Sequence, residues 1–341
     1  MRQTILAAPK KIESREVPLP QIEPDGVLAK TLRTGICGTD VHSYYGETIF
    51  GKVFPFHIGH EVCAIVEEVG SSVKTLKKGD VVVVNPFFTC GGCTACYLGM
   101  ENNCAHKTTI GLKGFGGFSE YVYVPATSAF KVQSDDYNAM SLAEPLSTVI
   151  YGLDKLRIDP TKTVLINGIG PIGMMFAQLI KSANVSQLVV TDLNQEKLRL
   201  ARKLGVDLAL CPKDTDDNAK LKELTEQGFD IIIDCTGSIK SMQSTVDCVA
   251  FGGQILLFGI CSAESTMGIK PFQLYKKDAT IFSSFALDKN SFRKAISLLE
   301  NGHINTELLI DEVVPFSQLE DSIKKIADGK ANGKIIIDTT R

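Results

Sequence analysis

The sequence predicts an α/β protein of two domains: a partly open β-barrel over residues 1–150 and a doubly wound parallel sheet over residues 151–286. Three observations carry this expectation. Up to about residue 130 the apolar runs are short and β-branched, with Gly, Pro and Asp-Gly between them. From Met140 onward, strand-length apolar runs alternate with helix-compatible stretches. The 341 residues, 44% hydrophobic and 22% charged, provide about two ordinary domains' worth of core without disulfide support.

In chain order, residues 27–32, 62–69, 81–84 and 121–124 read as barrel strands, with Glu67-Glu68 and Lys77-Lys78 at solvated strand ends or turns. In the second half the strand-length runs are 164–166, 188–191, 231–234, 255–258 and 280–283, and helical patterns at 195–204 and 220–227 lie between them. Strand, helix, strand in succession implies a parallel sheet. The tail from Lys289 adds helical patterns at 291–300 and 318–327 and a last strand at 334–338. The chain has no internal repeat or low-complexity tract.

Charge excludes one class of partner. Lys plus Arg is 36 against 39 Asp plus Glu, and the net charge of -3 with pI near 6.0 lacks the basic surplus used to bind phosphate backbones, so no nucleic-acid partner is expected. The apolar run 5–8 stops at Pro9, too short for a secretory signal, which predicts a cytoplasmic protein. The most apolar stretch, 164–180, contains Asn167, three glycines, Pro171 and Gln178 and reads as strand, tight turn and helix, so no membrane span is expected. Four of the ten cysteines crowd into fifteen residues. In a reducing compartment such a cluster reads as a metal site, and the scattered remainder as small buried hydrophobes.

The run Thr163 to Gly173 is a strand followed by G-x-G-x-x-G and a helical pattern. Gly168 permits the tight turn, Gly170 lets the backbone approach a pyrophosphate, and Gly173 lets the helix pack closely on the strand. Pro171 and Ile172 open that helix, whose N-terminus faces the phosphates. The next strand ends in Asp192, nineteen residues after Gly173, where a carboxylate can accept hydrogen bonds from the adenosine ribose. Asp192 would repel a 2′-phosphate and no arginine follows in Leu193-Asn194-Gln195, which favours NAD over NADP. The competing explanation is a glycine-rich turn in an α/β core with Asp192 as a helix cap.

Cys90, Cys93 and Cys96 with Cys104 offer four thiolates from one loop, which suits a closed tetrahedral zinc site. An iron-sulfur cluster is the rival, although its common motif closes with a shorter final gap and a proline, whereas Ala105 follows Cys104. Four sulfur ligands leave no open position, so this ion braces a loop and chemistry lies elsewhere.

Taken together, Gly35-Ile36-Cys37-Gly38-Thr39-Asp40-Val41-His42, Gly59-His60-Glu61, the four-cysteine lobe, Ala143-Glu144-Pro145-Leu146-Ser147 and the glycine fingerprint closely resemble the zinc-containing medium-chain alcohol dehydrogenases. The likeness runs nearly end to end and is strongest to the sorbitol and threonine dehydrogenase branch. It implies a GroES-like catalytic domain and a Rossmann NAD-binding domain, and it returns residues 287–341 to the first of these. It further implies that Cys37, His60 and Glu144 hold a second, catalytic zinc, with Glu144 bound directly or through a water and Glu61 beside it as an outer or alternate ligand. Considered singly, these are a buried thiol, a strand histidine and a helix-start carboxylate. One departure is Ala64, where the family pattern has a glycine; Gly70 and Val73 still match. His57, His106 and His303 match no motif and read as structural or exposed.

The resemblance implies a mechanism in which zinc acts as a Lewis acid on an alcohol oxygen and hydride passes to the nicotinamide. Thr39 and His42 match the relay that carries the alcohol proton out, through the cofactor ribose. The expected substrate is a small-molecule secondary alcohol: a polyol, a sugar alcohol or a sugar acid. The alternatives are an L-threonine 3-dehydrogenase or, in a different class, a zinc-braced NAD-binding protein without catalysis. The segment 43–56, with Tyr44, Tyr45, Glu47, Thr48, Phe50, Lys52, Phe54 and Phe56, could line a pocket or simply pack. A homotetramer or dimer is implied by the resemblance alone.

Overall fold

The computed structural model describes residues 1–47, 53–112 and 115–341. The chain forms two compact units, one of Met1–Ser147, Ala286–His303 and Ile310–Arg341, the other of Thr148–Phe285 and Ile304–Leu309. Against the expected boundaries, the division falls within the helix Ala143–Leu153, and a short segment of the tail crosses to the second unit. The reason is local. Gln178, on the helix Pro171–Ser182, accepts from the Asn305 N–H at 2.7 Å and donates to the Asn305 carbonyl at 3.2 Å.

In the first unit the long strand Gly26–Gly35 is the organising element. It pairs antiparallel with Glu61–Val69, with Tyr121–Pro125 near its start and with Lys334–Asp338 at its end. Val81–Val84 and Ala129–Lys131 extend the sheet beyond Glu61–Val69, and Ile310–Pro315 extends it beyond Lys334–Asp338. The inward residues Val27, Ala29, Val62, Val66, Val82, Val84, Val122 and Val124 form one core, as expected of β-branched strands with one buried face. Ala64 is fully buried among them, so its methyl fills the core. A second sheet joins Arg2–Ala8 to Lys11–Glu16 and to Phe56–His57; the run ended by Pro9 is thus the first arm of a hairpin.

The second unit is a six-stranded, wholly parallel sheet in the order Leu208–Leu210, Gln187–Thr191, Thr163–Asn167, Phe229–Asp234, Val249–Leu257, Thr280–Ser283. This is the Rossmann order, which reverses between Thr163–Asn167 and Phe229–Asp234 and so leaves a ligand crevice outside the carboxyl ends of those strands. The helix Gln195–Leu204 starts where Asn194 accepts from the N–H groups of Glu196 and Lys197. The helix Thr215–Gln227 begins five residues before the apolar pattern, because the Asp214 carboxylate caps it at Asp216 and Asp217. Leu208–Leu210 is too short to carry a periodic signal. Among the described residues no helix is long and apolar enough to cross a membrane.

Candidate active site

The end of the Gly26–Gly35 strand leads into Cys37, which opens the short helix Gly38–Tyr44. Strand register sets Gly35 opposite Glu61 on one side and opposite Ile336 on the other. Ligand atoms of Cys37, His60 and Glu61 consequently lie within 4.8 Å of one another. Glycine at 35 is required by space: a Cβ there would overlap the Glu61 carboxylate.

Two residues that sequence reasoning did not assign hold this trio. Asp40 is buried; it accepts from the Cys37 N–H at 3.0 Å and the Gly59 N–H at 3.0 Å, and lies 3.8 Å from His60 Nδ1, so one carboxylate ties the cysteine turn to the histidine strand. Its signal was an acid three residues after Cys37, the third position of the helix that Cys37 caps. Lys334 is buried and donates to Glu61 Oε1 at 2.7 Å and to the Ile36 carbonyl at 3.1 Å. Nothing in the sequence near residue 334 announces this, since the contact spans most of the chain.

Glu144 is buried in the first turn of Ala143–Leu153, outside the trio but within electrostatic reach of it. Burial pushes its carboxyl up to about 8, with Glu61 and Cys37 adding to the shift and His60 opposing it. The Cys37 thiol is pushed up to about 11 by burial and by Glu61. Three acidic groups therefore share a largely buried site in which Lys334 is the resident cation, and among the described residues Glu61 Oε2 has no hydrogen-bond partner. A divalent cation meets both needs: it matches the unpaired oxygen and lets all three groups ionise. Thiolate, imidazole and carboxylate are the donor types zinc accepts, so the residues fit the metal.

Thr39 Oγ1 lies 3.6 Å from Cys37 Sγ. Three residues on, His42 occupies the same face of Gly38–Tyr44.

Cys90, Cys93, Cys96 and Cys104 converge within the same 4.8 Å limit. The Cys93–Cys96 and Cys90–Cys104 sulfur separations are 3.6 and 3.5 Å. A disulfide needs about 2.05 Å, whereas the edge of a tetrahedron with zinc–sulfur bonds of about 2.3 Å is close to 3.8 Å. Backbone N–H groups of Cys96 and Ala105 hold Cys93 down to about 6, and those of Cys90 and His106 lower Cys104. Cys96 is instead pushed up to about 12 by burial and the neighbouring thiols, so a cation is what allows four thiolates together.

In the second unit Gly168 has φ +85°, a left-handed turn that glycine adopts without strain. A Cβ on Gly173 would overlap the Gly168 carbonyl oxygen, while one on Gly170 would meet only open space. The helix Pro171–Ser182 begins there, with Gly170 as its cap and Pro171 and Ile172 in its first turn. Asp192 accepts from the Ile169 N–H and the Asn194 N–H, each at 2.9 Å, which fastens the second strand's end to the glycine loop. Each carboxylate oxygen keeps a further lone pair for a ligand hydroxyl.

Comparison with known proteins places these geometries in one lineage. Residues 23–134 match the alcohol dehydrogenase GroES-like domain and residues 171–301 the zinc-binding dehydrogenase family. D-arabinitol dehydrogenase 1 of Uromyces fabae is 31% identical over 94% of this chain and 92% of its own. An L-threonine 3-dehydrogenase of Streptomyces avermitilis is 32% identical over 95% of each. The solved structure of the rspB alcohol dehydrogenase of E. coli CFT073, complexed with NADH, matches with a TM-score of 0.90 at 28% identity over 99% of both chains. With both halves matched and near full-length relatives above 30% identity, the chain belongs to the zinc-containing medium-chain alcohol dehydrogenase family.

Proposed function

We propose that this enzyme oxidises a secondary alcohol of a polyol, sugar alcohol or sugar acid to the ketone, using NAD and a catalytic zinc. The observation that carries the proposal is the convergence of half-buried Cys37 and His60 on buried Glu61, with buried Glu144 beside them and, among the described residues, one carboxylate oxygen unmatched. Zinc held there supplies a Lewis acid that lowers the pKa of a substrate hydroxyl, and the dinucleotide supplies the hydride acceptor. Cys37, His60 and Glu144 would hold it, and Glu61, which the fold gathers with Cys37 and His60 and pairs with Lys334, would be an outer or alternate ligand. Thr39 Oγ1 would take the hydroxyl proton as it gives up its own towards His42, three residues on in the same helix, which would pass a proton outward. The four-cysteine lobe, whose sulfurs converge within 4.8 Å, would hold a second, structural zinc.

A second reading, L-threonine 3-dehydrogenase, is favoured by the relative of that name at 32% identity. The deciding experiment is a screen of polyols, aldonates and amino alcohols for NADH formation by zinc-loaded protein. Fast turnover of a polyol or aldonate is the expected result; turnover confined to L-threonine selects the second reading, and none with any substrate defeats both.

Gly168, Gly170, Pro171, Ile172 and Gly173 cradle the pyrophosphate, and Asp192 receives the ribose. Asp192→Ala is expected to narrow the preference for NAD over NADP about tenfold or more, measured as the ratio of kcat/KM values, because a half-buried partner for two ribose hydroxyls is lost along with a charge that repels the 2′-phosphate.

Chelated protein is expected to lose stability as pH rises. The Glu144 carboxyl ionises at about 8 in the fold but at its ordinary value of 4.5 in the unfolded chain. Its stabilisation is therefore complete below the lower value and disappears as pH rises through the upper one. Zinc removes that penalty, so the Tm gap between loaded and chelated protein widens from about pH 5.5 to about pH 8.5. Equal gaps at both ends would show that Glu144 does not face the ion.

The ten cysteines form no disulfide, which fits a reducing, cytoplasmic setting. The edge strand Thr280–Ser283, with Phe272 and Tyr275 nearby at 72% and 81% exposure, offers unpaired main chain and apolar surface to a second copy, which supports a homo-oligomer. Light scattering of the purified protein measures its size, and a monomer at micromolar concentration removes this assignment.

A further inference from the structure

The relay histidine has a partner that no motif marked. After the helix Gly38–Tyr44 the chain turns at Tyr45 and Gly46 and comes back over its own last turn. The Glu47 N–H donates to the His42 carbonyl at 3.0 Å, and Glu47 Oε2 lies 2.8 Å from His42 Nδ1. The turn is pinned from outside as well: the Lys10 N–H donates to the Tyr44 carbonyl at 2.7 Å, and the Lys10 ammonium sits over the Tyr45 ring at 5.2 Å. The main-chain bond fixes where Glu47 begins, so only its side-chain rotamers remain to be ordered against the imidazole.

We propose that Glu47 is a positioning residue for proton transfer: it takes the Nδ1–H of His42, fixes the tautomer, and leaves Nε2 as the bare acceptor for the proton arriving from Thr39. The proposal rests on His42 serving as the relay. An imidazole bound on one nitrogen by a carboxylate has its other nitrogen defined as donor or acceptor, and the carboxylate steadies the imidazolium while it exists. The other charged groups packed against this helix are engaged elsewhere. Asp40 is held by the Cys37 and Gly59 N–H groups, Glu320 accepts from the Tyr44 hydroxyl at 2.6 Å and pairs with Lys324, and Lys10 lies on Tyr45. Among the described residues Glu47 is the carboxylate bonded to the His42 ring. No proton is stored in the pair: the one received at Nε2 leaves from Nε2 to solvent, and Nδ1–H stays with Glu47 throughout.

The test uses full-length, zinc-loaded protein with selectively 15N-labelled histidine, a chain with five histidines in all, and His42 assigned by its absence in His42→Asn. At neutral to mildly alkaline pH the His42 ring is expected to report a protonated Nδ1 and an unprotonated Nε2. Glu47→Gln, whose side-chain carbonyl still accepts from Nδ1, keeps that pattern, and Glu47→Ala loses it. In turnover of the polyol oxidised fastest in the screen, Glu47→Ala lowers kcat about tenfold with KM for NAD within about twofold. Glu47→Gln recovers most of that loss, and Glu47→Ala adds nothing on a His42→Asn background. A wild-type ring protonated at Nε2, or equal Glu47→Ala losses with and without His42, overturns the proposal. If His42→Asn leaves kcat intact while the ring pattern is as expected, it is the relay reading that fails, and the catalytic role of Glu47 falls with it.

Discussion

Cys37→Ala protein is expected to hold one zinc per chain where the unsubstituted enzyme holds two, and to turn over about a thousandfold more slowly or worse. Cys37 provides the one thiolate among the three ligand atoms that meet within 4.8 Å. Without it the remaining imidazole and carboxylates present fewer strong donors, and Lys334 is left to satisfy Glu61 alone. A Lewis acid on a reacting oxygen contributes several kcal/mol to the transition state, and each 1.36 kcal/mol is about tenfold in rate. The fold should survive. The Cys37 N–H still donates to Asp40, and the glycine loop lies in the other unit, so NADH binding followed by nicotinamide fluorescence stays within about twofold of the parent. Metal analysis with two ions retained, or turnover within tenfold of the parent, would remove Cys37 from the inner sphere of the ion.

Cys93→Ser should have the opposite signature. It is expected to lose the lobe's zinc and lower Tm by about 5 °C or more, while kcat well below the melting range changes only a fewfold. The lobe has little apolar burial of its own: Cys90 is exposed, and Tyr97 and Leu98 are 79% and 70% exposed. The hydrophobic effect cannot hold such a loop, so the cross-link through four sulfurs must. Its shape also matters to a neighbour, since Glu101 accepts from the Lys289 N–H at the start of the helix Lys289–Glu300. Scanning calorimetry with metal analysis checks the outcome; an unchanged Tm together with full metal content would mean the lobe does not need its ion.

The two substitutions are expected to separate chemistry from bracing because the two sites differ in donor set: four sulfurs in the lobe, one sulfur with an imidazole and carboxylate at Cys37. Four thiols in fifteen residues are local, so their convergence within 4.8 Å could be expected from spacing alone. The glycine fingerprint was legible for the same reason. Gly168, Gly173 and Asp192 follow one strand, one turn and the next strand, and their backbone demands can be read from residue type. The β-branched runs likewise named their strands, down to Val81–Val84 and Lys334–Asp338 with unchanged ends.

Segments that were misjudged carry weak or conflicting signals. Leu208–Leu210 is three residues long, and Val249–Leu257 opens with an exposed Phe251 and two glycines that resemble a loop. Residues 304–309 looked like part of the tail, and only the paired hydrogen bonds between Gln178 and Asn305 take them to the second unit. Of the aromatic segment after His42, residues 48–52 lie outside the described residues. The part that is described contributes Glu47, an isolated acid whose partner five residues earlier belongs to no helical spacing rule.

The two kinds of layer, the glycine loop and the sulfur-rich lobe were legible along the chain, because each depends on contacts among residues close in sequence or on a hydrophobic period. Tertiary structure alone decided what surrounds Cys37: Asp40 bracing Gly59, Lys334 on Glu61, and Glu144 brought in from a distant helix. Those contacts join positions up to 273 residues apart. Strand register and helix placement create them, and a buried charge takes whichever partner the fold sets within reach, a choice that leaves no periodic trace in the chain.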